Sequence, residues 1–148
     1  MKINELLNIE FPIIQGGMAN IATGKFAAAI SEAGALGIIG AGGMSADKLR
    51  AEIRECKSLT GKPFGVNIML MNPEADRMAE VVAEEKVAVV TTGAGNPGKY
   101  IERWKSCGIK VFPVVSGASL AKRLASLGVD SVIAEGCESA VSYTHLRA

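Results

Sequence analysis

Charge of one sign, paired cysteines, long apolar runs and aromatic rings are all scarce in this chain, and each scarcity removes a class of protein. Lys and Arg number 16 against 15 Asp and Glu, a net charge of +1, and they are scattered without a basic stripe. The electrostatic footprint of nucleic-acid binding is therefore missing. Cys56, Cys107 and Cys137 are odd in number and contain no C-x-x-C pair, which argues against a disulfide framework or a zinc site. The single His145 has no triad or metal partners around it. Apolar runs are short and broken by Gly or charge, and Met1-Lys2-Ile3-Asn4-Glu5 leads into no signal-like apolar region. A soluble, cytoplasmic protein with no membrane partner is expected.

What is present is 49% hydrophobic residues and 17 glycines in 148 residues, the composition of one globular α/β domain. Strands are predicted at 12–15, 36–40, 64–70, 87–92, 110–115 and 131–134. Each is near-continuously apolar, as in a parallel sheet covered on both faces. Helical stripes lie between them: Phe26, Ala29, Ile30 and Ala33; Leu49, Ile53 and Cys56; Met78, Val81 and Val82; Ile101, Trp104 and Cys107; Leu120, Leu124 and Leu127. Gly34, Gly108 and Gly128 stand where helix C-caps need a left-handed residue. Ser45 is placed to cap a helix N-terminus, and Pro97 to open one. Lys99, Arg103, Lys122 and Arg123 read as solvated helix faces.

Strand starts recur about every 20–28 residues, the rhythm of successive βα units. Six strands and five helices fit either an open doubly wound sheet or part of an eight-stranded barrel, which needs roughly 250 residues when complete. Length alone favours the former. The strand ends favour the latter.

Gln15-Gly16-Gly17-Met18-Ala19 places a Gly pair after the first strand, where a ligand can approach bare main chain or the chain can simply turn. Gly37 to Gly42 lacks the spacing of a dinucleotide phosphate loop. Asn67 is a lone amide inside an apolar strand, so a ligand or the backbone must satisfy it. Thr91-Thr92-Gly93 and Ala134-Glu135-Gly136 close two further strands, the latter with either a functional carboxylate or an exposed loop acid. No motif is specific alone. Their coincidence at one rim is the signal, because ligands of α/β proteins bind there.

In combination, the strings Pro12–Ala19, Gly34–Gly40, Lys62–Leu70, Val90–Pro97 and Val132–Gly136 resemble the flavin-dependent enoyl-[acyl-carrier-protein] reductases, within the nitronate monooxygenase (2-nitropropane dioxygenase-like) superfamily. The resemblance runs to Ser139, and Thr91-Thr92-Gly93-Ala94-Gly95-Asn96-Pro97 is similar to the reductase branch. It implies an incomplete FMN-binding TIM barrel over residues 1–139. It also implies a parent enzyme that reduces trans-2-enoyl thioesters carried on acyl-carrier protein, with NADH or NADPH delivering hydride by way of the flavin. A homodimeric parent is expected. By the same resemblance Gly16, Gly17 and Met18 would pack main chain against the flavin ring and Asn67 would hydrogen-bond its polar edge. Thr92, Gly93 and Glu135 would line the pocket.

The chain departs from the family after Glu138-Ser139. The expected Gly-Gly-His is replaced by Ala140-Val141-Ser142, so Ser142 fills the position of the family's His, and His145 comes three places too late. Residues 140–148 are expected to be a non-native tail, and the 148-residue chain to be marginally stable and inactive alone. Three other readings stand beside this one: a nitronate monooxygenase, a non-catalytic barrel remnant, and a flavin-free sugar-phosphate barrel. The last is disfavoured because no Lys or carboxylate pair stands at the strand ends.

Overall fold

The computed structural model describes residues 2–136. In chain order the elements are α1 (Ile3–Leu7), α2 (Gly24–Glu32), β1 (Gly37–Gly40), α3 (Ala46–Leu59), β2 (Phe64–Met69), α4 (Ala75–Glu84), β3 (Val89–Gly93), α5 (Gly98–Ser106), β4 (Lys110–Val115), α6 (Ala118–Ser126) and β5 (Ile133–Ala134). All five strands are parallel and ordered β1-β2-β3-β4-β5. Strands that neighbour each other in sequence and in space, each pair joined by a helix, are the build of a (β/α) barrel segment.

Five strands stand where six were expected. The segment 12–15 meets the sheet at a single parallel bridge, Ile14 to Leu36. Leu36 N–H donates to Ile13 O at 2.9 Å and Gln15 N–H to Leu36 O at 3.0 Å. The next rung is taken by a side chain: Ile38 N–H donates to Gln15 Oε1 at 2.8 Å, so the main-chain ladder ends there. The five-residue α1 was not expected; its cue is weak because Leu7 is its one fully buried side chain.

The sheet separates two apolar layers. Helices α2 to α6 pack against one face through Leu49, Ile53, Met78, Val82, Ile101 and Trp104, opposite Ile39, Val66, Ile68, Val90 and Val111. The other, inner face is smaller: Leu36, Ile38, Val89 and Phe112 meet Leu7 of α1. Alternation along each strand produces this division, since successive side chains point to opposite faces. The stripe expected for α2 is displaced. Ala27, Ala28 and Ser31 are buried, while Phe26, Ala29 and Ala33 are exposed. The reason is Gly37, where a Cβ would overlap the Ala27 carbonyl, so the small residues of α2 turn towards β1. In α6 Leu124 is buried and Leu127 is 46% exposed.

The caps follow their chemistry. Ser45 Oγ accepts Lys48 N–H at 3.2 Å at the start of α3, and Gly34, Gly108 and Gly128 have φ of +93°, +78° and +81°. Pro97 sits one position before the first turn of α5, with Asn96 Oδ1 accepting Gly98 N–H at 2.9 Å. No helix among the described residues is long and apolar enough to cross a membrane.

Candidate functional site

Parallel strands bring their C-terminal ends to one rim, and the register makes the layers explicit. Ile38, Gly65 and Val89 are successive partners across β1, β2 and β3. One layer higher come Gly40, Asn67, Thr91 and Phe112. Above them Met69 pairs with Gly93, and Val114 with Ile133. Inner side chains from these layers, with the segment 12–17 and Ile3, enclose a cavity of about 530 Å³. Its walls are mostly apolar, among them Ile14, Ile38, Phe112 and Ile133, with Asn67 and Thr91 as an adjoining polar pair. A concave, largely apolar cavity carrying a few placed polar groups is the ordinary form of a small-molecule site.

The polar pair has defined geometry. Thr91 Oγ1 donates to Asn67 Oδ1 at 2.8 Å. Asn67 Nδ2 has no acceptor among the described protein groups. Gly17 lies against the same side chain: a Cβ there would overlap Asn67 Cβ and stand 2.9 Å from its Cγ. Gly16 has open space where its Cβ would be, so the main chain itself forms that wall. Gln15 holds this turn from behind, its Oε1 accepting Ile38 N–H while its Nε2 donates to Gly16 O. On the rim, Asn72 Nδ2 donates to Met44 O at 3.1 Å and Glu74 Oε2 accepts Ala46 N–H at 2.9 Å. These bonds tie the loop after β2 to the loop after β1.

Of the residues singled out in the sequence, Gly16, Gly17 and Asn67 line the cavity together. Met18 lies beside them, its carbonyl 2.7 Å from where a Cβ of Gly40 would stand. Gly93 ends β3 with open space around it. Thr92 points the other way. It is buried on the helix side of β3, and its hydroxyl finds no partner among the described residues. Glu135 is exposed just past β5, its N–H donating to Val115 O at 3.1 Å. Ser142 and His145 lie outside the described residues. Thr91, Gln15 and Phe112 were missed, although strand parity carried the signal for Thr91: with Val89 on the inner face, Thr91 must share it.

Burial pushes the Cys56 thiol up to about 12, so it is an inert core thiol at neutral pH. No three His, Cys, Asp or Glu side chains converge on a metal position among the described residues.

The comparisons with known proteins agree with the fold. The family model described as nitronate monooxygenase matches residues 1–80. The chain superposes on FabK from Thermotoga maritima with a TM-score of 0.90 and 56% identity, covering 93% of this chain and 44% of that one. On nitroalkane oxidase from Streptomyces ansochromogenes the TM-score is 0.84 at 27% identity, covering 93% and 49%. Among curated relatives, (3aS,4S,5R,7aS)-5-hydroxy-7a-methyl-1-oxo-octahydro-1H-indene-4-carboxyl-CoA dehydrogenase of Mycobacterium tuberculosis is 35% identical over 136 residues, 92% of this chain and 38% of its own. The nitronate monooxygenase of Paraburkholderia phytofirmans is 47% identical over 76 residues, 51% of this chain and 21% of its own. The chain thus spans less than half the length of these relatives. With the family model matched over more than half of its residues, this chain belongs to the nitronate monooxygenase family, whose members are flavin-dependent oxidoreductases.

Proposed function

We propose that this chain is a portion of an FMN-dependent enoyl-[acyl-carrier-protein] reductase, and that the cavity lined by Gly16, Gly17 and Asn67 receives the flavin. The observation that carries the reading is the 56% identity to FabK across 93% of the chain, together with a cavity walled in part by bare main chain and one amide. The residues fit a flat heterocycle. Gly16 leaves no Cβ between the main chain and the ligand, Gly17 leaves room for the Asn67 side chain, Asn67 Nδ2 has no acceptor among the described residues, and Ile38 and Phe112 provide an apolar floor.

Bound FMN would supply the hydride chemistry between NADH or NADPH and a trans-2-enoyl thioester. The work of this chain is to hold and to exclude. Gly16–Met18 would lie main chain against the ring, Asn67 would donate a directed hydrogen bond to its edge, and the apolar floor would keep water from beneath it. Gly93 and Glu135 lie outside the lining of the cavity, at the strand ends beyond it.

In TIM barrels a phosphate is commonly held by loops after strands seven and eight. The described residues supply five strands, so the 148 residues alone are expected to bind flavin weakly and to turn nothing over. The whole protein is expected to be a homodimer. Its test is nicotinamide oxidation by the full-length enzyme with a crotonyl thioester. Consumption of NADH or NADPH that depends on the thioester supports the reading.

The family match over residues 1–80 and the 47% identity to the Paraburkholderia protein favour a second reading, oxidation of alkyl nitronates by oxygen. Nitronate turnover without nicotinamide would replace the first reading with the second.

A further inference from the structure

We propose that Thr91 is a positioning residue that makes Asn67 a one-way hydrogen-bond donor to the cavity, so that the ligand atom facing Asn67 must be an acceptor. A side-chain amide has two ends, NH₂ and carbonyl, and in an open cavity either can face a ligand. Here the ends are not equivalent. Asn67 and Thr91 are register partners on the inner face of adjacent strands, and the Thr91 hydroxyl donates to Oδ1 at 2.8 Å. Thr91 is 4% exposed and β-branched, so its side chain is stiff at χ1 and its hydroxyl has little freedom to turn away. On the other side the Gly17 main chain presses on Asn67, with Nδ2 3.2 Å from where a Gly17 Cβ would stand. The amide is clamped with its carbonyl turned onto the Thr91 hydroxyl and its NH₂ towards the Gly16–Gly17 wall.

The chemical consequence is a choice of ligand edge. A carbonyl oxygen or an unprotonated ring nitrogen satisfies the Asn67 donor, whereas a ring N–H presented at the same point leaves two donors facing each other. On the flavin reading, which the naming of the ligand rests on, the ring must meet Asn67 with one of its acceptor atoms rather than with its imide N–H. The orientation of the ring would then be set by Thr91 acting through Asn67.

The test uses the full 148-residue chain, labelled with ¹⁵N, and riboflavin as the probe, which removes the phosphate from the comparison. Thr91→Val keeps the shape and deletes the hydroxyl; Thr91→Ser restores the hydroxyl; Asn67→Asp keeps an acceptor for Thr91 but removes the donor. Thr91→Val is expected to shift the Asn67 side-chain NH₂ signals and to weaken riboflavin binding on the order of tenfold. Thr91→Ser is expected to recover both, and Asn67→Asp to lose binding at least as far as Thr91→Val.

Unchanged Asn67 amide signals and affinity in Thr91→Val would overturn the proposal, as would wild-type affinity in Asn67→Asp. If the unsubstituted chain binds too little riboflavin to measure, the thioester-dependent nicotinamide assay of the full-length enzyme tests the flavin reading, and the amide signals alone decide the role of Thr91. A shift in Thr91→Val that Thr91→Ser reverses supports the positioning role; no shift refutes it. Should Thr91→Val not fold, Thr91→Ala and Thr91→Ser are compared in the same way.

Discussion

Thr91 and Thr92 are neighbours in sequence with opposite surroundings, and the difference is a matter of parity. Thr91 faces the cavity with its hydroxyl engaged, whereas Thr92 is buried against the helices with its hydroxyl unpartnered. Around this pair the tightest position is Gly17. An added methyl would overlap Asn67 Cβ, so Gly17→Ala is expected to push the amide out of line and weaken riboflavin binding by about tenfold, one hydrogen bond's worth. The turn is exposed, so the thermal midpoint of the variant is expected to stay near that of the parent chain; an unaltered riboflavin affinity would contradict the clamp. Residue types at the site were legible in the sequence because glycines and a lone amide stand out against the apolar strands they end or interrupt. The choice between adjacent threonines was not, because an apolar strand buried on both faces carries little polar alternation to read. Gln15 was also passed over. Nothing local shows that a side chain will replace a main-chain rung.

At the scale of elements, helices are joined to each other by single buried groups. Trp104 Nε1 of α5 donates to Ala79 O of α4 at 3.0 Å, with both residues buried. Trp104→Phe removes the donor and some volume together, and is expected to cost about 1–3 kcal/mol in urea unfolding. Glu52 of α3 does the same for α2, accepting Gly24 N–H at 2.6 Å while paired with Lys48 at 2.6 Å. Burial works to raise the Glu52 carboxyl, but Lys48 and the Gly24 N–H outweigh it and hold it below its ordinary value. A carboxyl lowered in the folded state stabilises fully above its unfolded value, and that contribution is lost as pH falls through the folded one. Urea midpoints followed from neutral to acid pH are therefore expected to fall less steeply in Glu52→Gln than in the parent. An identical acid limb would show that Glu52 carries none of the acid sensitivity. Helices with wide apolar stripes, such as α3 and α4, were legible from spacing alone. The stripe of α2 was not, because its contact face is made of Ala and Ser and the larger Phe26 misleads the eye.

For the whole molecule, the parallel order and the common rim were legible because near-continuous apolar strands with intervening helices admit few arrangements. What the sequence could not place was the balance between the two layers. Among the described residues the helix-side cluster holds twenty-five buried side chains and the inner cluster five. Beyond β1 the sheet edge is met by one bridge, and Phe11, Ile13, Ile21 and Phe26 lie 36–60% exposed along that side. Open edges and apolar surface of this kind promote pairing between chains. Sedimentation of the 148-residue chain is expected to show association that grows with concentration, and to weaken when Ile13 and Ile21 are changed to Lys. A monomer at all concentrations would show that the edge is protected in some other way.

The unequal layers also separate two kinds of evolutionary freedom. Most of the buried apolar packing lies on the helix side of the sheet, while the inner face that borders the cavity adds only a handful of side chains to it. On the proposed reading, a lineage can therefore exchange the residues around Asn67 and Thr91, and with them the molecule it accepts, while its scaffold stays almost untouched.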